Sequence, residues 1–421
     1  MRLLVLSNHY PPHSIGSYEL QCCQACQELS HRGHQIAVLT SVTPAEARSN
    51  FVPNERVHRE LALFDEVPDA DSRFHRLFKT VRKNRAILRN HLEQWRPDAA
   101  LVWGMDRLPT SLLQFLEETG TPVVYVVQDH WMGDSYENDH WCRYWRDEGS
   151  LSEPAAKTLL RAFRLETFVK RQAAPAGVES LKLNNICFCS QSLKDQTSLA
   201  CGRGLEHALI IPCAISPQSI RQKEGLAAFS YRLLFAGRLV EKKDPITALR
   251  AVQELRHRGD DRFTLDIFGR GRPEFEASLH DYVRRFQLGG AVSFKPVAEE
   301  QVRNNIHLYD ALLFTSKYPE PFPLIHLKAM AARVPVISTL EGGCAELIRD
   351  GENALAFETG NHHQLADKIA HIANDTEMAL RLAKTAHDEV IQNYGLSRIV
   401  SRMESLLHRA VQRDSGLKEA V

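Results

Sequence analysis

Residues Tyr231–Asp244 read YRLLFAGRLVEKKD. Tyr231–Ala236 is a short apolar run closed by Gly237, the length and punctuation of a buried strand. After a charged turn, Pro245–His257 carries a helical apolar period, with proline at the first position where a missing N–H costs nothing. Strand, short loop and amphipathic helix form half of a βαβ unit, and the pattern repeats on both sides. Downstream lie strand patterns at Phe263–Phe268, Ala291–Phe294, Asp310–Ser316 and Val334–Ser338. Helix patterns at Glu274–Phe286, Glu299–Leu308 and Pro323–Ala332 alternate with them, and a helical tail runs from His363 to Arg413. Upstream, Arg2–Ser7, Gln35–Thr40, Ala99–Trp103, Pro122–Val127, Ile186–Ser190 and Ala208–Pro212 read as strands, with helices at Gly16–His31, Arg76–Gln94 and Glu153–Gln172. Ala214–Ser230 is polar and reads as a linker. The expectation is an α/β chain of two doubly wound parallel-sheet, Rossmann-like domains facing an interdomain cleft. Its parts are residues 1–213, a linker at 214–230, residues 231–390, and a C-terminal helix at 391–421. In open sheets of this kind, ligands bind beyond the carboxyl ends of the strands.

Composition narrows the field. The 421 residues are 43% hydrophobic and 25% charged, as in ordinary folded proteins. Lys+Arg and Asp+Glu both number 52, and a chain without basic excess is a poor general nucleic-acid binder. No apolar run approaches the ~20 residues of a membrane span. The nine cysteines are odd in number and scattered, unlike a secreted disulfide framework, so an intracellular, cytoplasmic chain is expected. The 19 histidines contain no H-E-x-x-H, and Cys23-x-x-Cys26 lacks a second ligand pair, so its thiols read as buried and structural.

The loops after the strands carry the candidate chemistry. Arg238 and Lys243 follow the Tyr231–Ala236 strand, and a guanidinium fork with an ammonium can clamp a diphosphate. A solvated charge cluster with Glu241 and Lys242 is the equal alternative. In FGRGR, Gly269 and Gly271 would let the chain turn beside a flat ligand. Glu320, in YPEPFPLIHLKAM, is a carboxylate able to accept from hydroxyls, and the amides after it open a helix. Gly342–Gly343 repeats the device after the next strand, and Gly16 opens the first helix.

Taken in order, GRL-x-x-x-K, F-G-x-G, E-P-F-x-L with A-M-A, P-V-I-S, and G-G-x-x-E-L-I-x-D-G-x-N form a set. With the N-terminal Y-P-P-x-x-x-G and R-G-H, the chain resembles the retaining glycosyltransferases of family 4, whose fold is called GT-B. The resemblance implies a nucleoside-diphosphate sugar as donor and a hydroxyl-bearing acceptor (glycan, lipid-linked or small molecule). It implies transfer without cofactor or metal, in glycan biosynthesis. Arg238 and Lys243 would stabilise the leaving diphosphate, and Glu320 would hold the donor sugar. Amides around Phe322 and Leu324 would bind sugar or phosphate, Gly16 would face the phosphate, and the base would lie near Gly269, Arg270 and Val297.

The chain departs from that pattern at several positions. Lys328 stands where the family has a second glutamate, and an ammonium cannot accept from ribose hydroxyls. Pro323 replaces a glycine. Gln128–Asp129 replaces a His-Asp pair, followed by His130 and Trp131 on the acceptor side. A catalytically impaired sugar-nucleotide or glycan-binding homologue is therefore the alternative. The segment Asp129–Trp145, rich in Trp131, Tyr136, Trp141, Tyr144 and Trp145, reads as an acceptor-side lid. Basic stripes on Phe78–Leu92 and Glu153–Gln172 read first as solvated helix faces and second as peripheral contact with an anionic membrane. Oligomeric state is left open.

Overall fold

The computed structural model describes residues 1–12, 16–42, 56–64, 73–146, 175–223, 229–295 and 299–419. The expected helix Glu153–Gln172 and the base-side candidate Val297 lie outside them. The chain divides into two compact units, Met1–Ile211 with Val400–Val421, and Pro212–Ile399.

The first unit holds seven described strands: β1 (Arg2–Ser7), β2 (Gln35–Ser41), β3 (Arg56–Leu61), β4 (Ala99–Gly104), β5 (Val123–Val127), β6 (Ile186–Phe188) and β7 (Leu209–Ile210). They pair in parallel in the order β3-β2-β1-β4-β5-β6-β7. The second unit repeats the scheme with β8 (Arg232–Ala236), β9 (Thr264–Phe268), β10 (Val292–Lys295), β11 (Ala311–Phe314), β12 (Val336–Ser338) and β13 (Leu355–Ala356), ordered β10-β9-β8-β11-β12-β13. Both are doubly wound α/β sheets, reversing between β1 and β4 and between β8 and β11. Central strands are apolar on both faces because helices cover both. Leu3–Leu6 and Ala99–Val102 are fully buried, as are Leu233 and Leu234.

Between Gln35–Thr40 and Arg76–Gln94, where the sequence reading placed no strand, the structure has one. RVHREL is β3, an edge strand whose exposed and half-buried side chains give it little apolar signal. The lid reading of Asp129–Trp145 is corrected as well. It forms two short helices, Ser135–Asn138 and His140–Arg146. Trp141 and Tyr144 are buried and pack with Phe64, Leu77 and Val81, the last two on α2 (Arg73–Trp95). Asp139 anchors the segment by accepting from the backbone N–H groups of Thr110, Trp141 and Cys142 at 2.8–3.0 Å. Part of the basic stripe on α2 is internal packing, with Arg85 and Arg89 over the Phe115 ring at 4.6 and 5.4 Å. No described helix is long and apolar enough to cross a membrane.

Candidate active site

At a reversal of strand order, the two neighbouring loops diverge and leave room for a ligand. In the second unit those loops follow β8 and β11. The first carries Arg238 and Lys243, the second Glu320. Lys243 Nζ donates to Glu320 Oε1 at 2.5 Å, and Ser316 Oγ donates to the same oxygen at 2.7 Å. Glu320 is buried, and Lys243 is partly exposed. Arg238 is exposed and has no carboxylate partner among the described residues.

The β8 loop is strapped to the end of β11 by its own carbonyls. Thr315 Oγ1 donates to Lys243 O and Asp244 O at 3.0 and 2.8 Å, and the Lys317 N–H donates to Lys242 O at 2.8 Å. Asp244 is buried in the left-handed region at φ 49°. Its carboxylate accepts from Thr247 Oγ1 at 2.5 Å and pairs with Lys317 Nζ at 2.9 Å. These bonds fix the backbone under Lys243, so the ammonium is held in place before any ligand arrives.

The glycines read as ligand-side openings serve the protein's own backbone. A Cβ on Gly342 (φ +67°) would sit 2.5 Å from the Pro319 carbonyl carbon, and one on Gly343 would sit 2.3 Å from Pro321 O. The Gly343 N–H donates to Glu320 O at 2.7 Å, zipping the two loops together. Likewise a Cβ on Gly269 would meet Gly237 O at 2.3 Å, and one on Gly271 would overlap Leu239 O. The Leu239 N–H donates to Arg270 O at 2.8 Å, while the exposed Arg270 side chain stands 3.8 Å from Glu276.

Phe322 and Leu324 are buried, and the Leu324 amide donates to Phe322 O at 3.1 Å. Lys328, partly buried, lies on the helix Leu324–Ala331 that follows. The same helix brings in His326, which no sequence signal marked. His326 is fully buried, its Nε2 is 2.8 Å from Ser338 Oγ, and its Nδ1 has no partner among the described residues. Ser338 gives its one proton to Thr339 O at 2.6 Å, so the imidazole donates from Nε2. Burial, then the charge of Lys243, pushes the ring down to about 3, so it is neutral. Ser316, Thr315 and Asp244 were also missed, because a lone hydroxyl or acid in a loop has no distinguishing spacing.

The first unit shows a second concentration of polar groups at its own reversal point. Ser7, Asn8, Glu19, Trp103, Gly104 and Gln128 line a crevice there, together with Asp129. Among the described residues, the buried Gln128 has neither amide atom hydrogen-bonded, and the buried Trp131 has no partner for Nε1. Asp129 is partly buried and accepts from the Trp131 N–H at 3.2 Å. Loss of water around it, reinforced by Asp106, Glu19 and Asp134, pushes its pKa up to about 7. His130 is partly buried beside it. Gly16 caps α1 (Ser17–His31), and its N–H donates to Glu19 Oε2 at 3.0 Å, so a carboxylate already sits at that helix start.

Residues 217–389 match the family Glycosyl transferases group 1. That span covers most of the second unit. Glycogen synthase of Mycobacterium tuberculosis is 24% identical over 414 residues, spanning 94% of this chain and 91% of that protein. D-inositol 3-phosphate glycosyltransferase of Pseudarthrobacter chlorophenolicus is 27% identical over 198 residues, 47% of each chain. Among solved structures, Anabaena HepE in complex with UDP-glucose superposes with a TM-score of 0.69 at 17% identity, covering 97% of this chain and all of that one. Sucrose-phosphate synthase of Thermosynechococcus elongatus superposes at 0.71, also at 17% identity, covering 97% and 98%. At those identities the likeness is one of fold, and the fold is that of two parallel-sheet Rossmann-like domains, as the strand orders require.

Proposed function

We propose that this protein is a glycosyltransferase that moves a sugar from a nucleoside-diphosphate sugar to a hydroxyl-bearing acceptor, retaining the anomeric configuration and using no metal. The observation that carries this reading is the Lys243–Glu320–Ser316 cluster, with Arg238 on the same loop as Lys243, at the reversal point of the family-matched unit. An exposed guanidinium and a pre-positioned ammonium supply the charge that a departing diphosphate needs. Glu320 offers its second oxygen to sugar hydroxyls while Ser316 and Lys243 hold the first.

In the proposed step, the bond from the anomeric carbon to the diphosphate oxygen breaks as the acceptor oxygen bonds to the same carbon. The acceptor's proton passes to the departing phosphate oxygen, and no protein carboxylate becomes covalently attached. Catalysis rests on positioning and on charge stabilisation. Gln128, with its unused donor and acceptor, and Asp129 are assigned to the acceptor side.

HepE was solved with UDP-glucose, which makes uridine donors the first to try. A thermal-shift panel of UDP, GDP, ADP and their sugars, followed by donor hydrolysis and NMR of the product anomer with and without EDTA, tests the proposal. Saturable binding with release of nucleoside diphosphate and a retained anomer is expected. Binding without hydrolysis or transfer would instead favour the impaired homologue that Lys328 and Gln128 bring to mind.

A further inference from the structure

The edge of the first sheet carries a group of side chains that glycosyl transfer does not use. His58 and Glu60 are two apart on β3 and so project from the same face. α2 packs over that face and is fastened to it by Asn84. That amide donates to Ala62 O at 2.7 Å and accepts from the Ala62 N–H at 2.9 Å. Seven residues on, two helical turns along the same side, stands His91. His91 Nε2 is 3.4 Å from Glu60 Oε1, and His58 Nδ1 is 3.6 Å from it. The two rings lie with centroids 4.5 Å apart, and the three ligand atoms fall within 4.8 Å of one another.

His91 is 8% exposed, and its Nε2, 3.4 Å from Glu60 Oε1, makes no hydrogen bond among the described residues. Around a tetrahedral ion at about 2.0–2.1 Å from each ligand, donors stand roughly 3.3–3.5 Å apart. The separations to Glu60 fall close to that.

The geometry points to a zinc-class divalent metal site formed by His58 Nδ1, Glu60 and His91 Nε2, with water completing the shell, that staples the edge strand to α2. Two imidazoles and one carboxylate suit Zn²⁺ among first-row ions and do not suit Mg²⁺ or Ca²⁺. Two of the three ligands are half-exposed, which leaves the fourth position to solvent.

The test titrates the full chain with Zn²⁺, following melting temperature and calorimetric stoichiometry, and with Co²⁺, following visible absorption. One equivalent should bind, raise the melting temperature and give tetrahedral d–d bands without a thiolate charge-transfer band. Glu60→Gln and His58→Gln sit on an exposed edge and should melt like the parent without metal. Each should weaken zinc binding at least tenfold. The site is overturned if zinc at 100 μM neither binds nor stabilises the parent, if both variants bind as the parent does, or if a thiolate band shows cysteine ligation.

Discussion

Arg238 and Lys243 are neighbours on one loop with opposite situations. Arg238 is exposed and has no carboxylate partner among the described residues, so Arg238→Ala removes no ion pair described there. Its melting temperature should stay within about 1–2 °C of the parent, while kcat falls by about 10²-fold or more, the usual effect of deleting one charge-stabilising donor. A steady-state assay beside a melting curve checks both. Lys243 is neutralised by Glu320 at 2.5 Å, so a diphosphate must compete with that carboxylate. Glu320→Gln should therefore tighten free nucleoside diphosphate several-fold while weakening the sugar-bearing donor. Calorimetry on the two ligands should show opposite signs, and parallel losses would refute the exchange of partners. Asp129 titrates near 7 in the fold and near 3.9 in an unfolded chain. The native state thus holds a proton that the unfolded state has lost between those values, so this group's contribution to stability falls as pH rises from about 4 to about 7. Asp129→Asn keeps an oxygen for the Trp131 N–H and cannot ionise. Its stability should gain on the parent's at pH 8 relative to pH 4.5, as urea unfolding at the two values would show.

At the scale of elements, the zip between the loops 318–321 and 341–343 decides where Glu320 sits. Gly342→Ala adds a Cβ 2.5 Å from backbone at a φ of +67°. A cost of roughly 1–3 kcal/mol is expected, from strain at a left-handed position closed in by backbone. Activity should drop further than stability, because relief of the clash moves Glu320; unchanged kcat and melting temperature would show the loops to be independent. The sequence showed the glycine pair but could not show what approaches it, since ligand and main chain demand the same missing side chain. The inner strands were legible because parallel strands covered on both faces are apolar throughout. β3 was not, because an edge strand carries His58, Arg59 and Glu60 with one buried residue at its end. The aromatic segment failed for another reason. Sugar stacking and core packing use the same residues, and only the position of Phe64 and α2 assigns Trp141 to the core. The sequence placed Lys243 and Glu320 in loops after strands, and the structure brings those two side chains together, while Ser316 and His326 depend on three-dimensional proximity alone.

For the molecule as a whole, the second unit is one continuous stretch, Pro212–Ile399, whereas the first is completed by residues 400–421. The helix Leu396–Glu419 supplies that completion. Val400, Met403 and Leu407 are buried along it. Glu404 accepts from Arg32 Nη1 at 2.8 Å and stands 2.8 Å from His34 Nε2, and Arg402 reaches the Ile210 carbonyl. Hydrogen bonds from His34 and then Arg32 lower the Glu404 pKa. That stabilisation is therefore present above the ordinary glutamate value and is lost as pH falls through the lowered one. Ending the chain at Ile399 strips these partners from the first unit and leaves the second intact. Two melting transitions should then appear, the first unit's lowered by several degrees and the second unit's still raised by nucleoside diphosphate. Glu404→Gln in the full chain should reproduce a small part of that loss at pH 7 and progressively less of it as pH falls through the lowered carboxylate value. If truncation leaves both transitions in place, the terminal helix contributes nothing to the first unit. If it abolishes nucleotide stabilisation, donor binding requires more than residues 212–399.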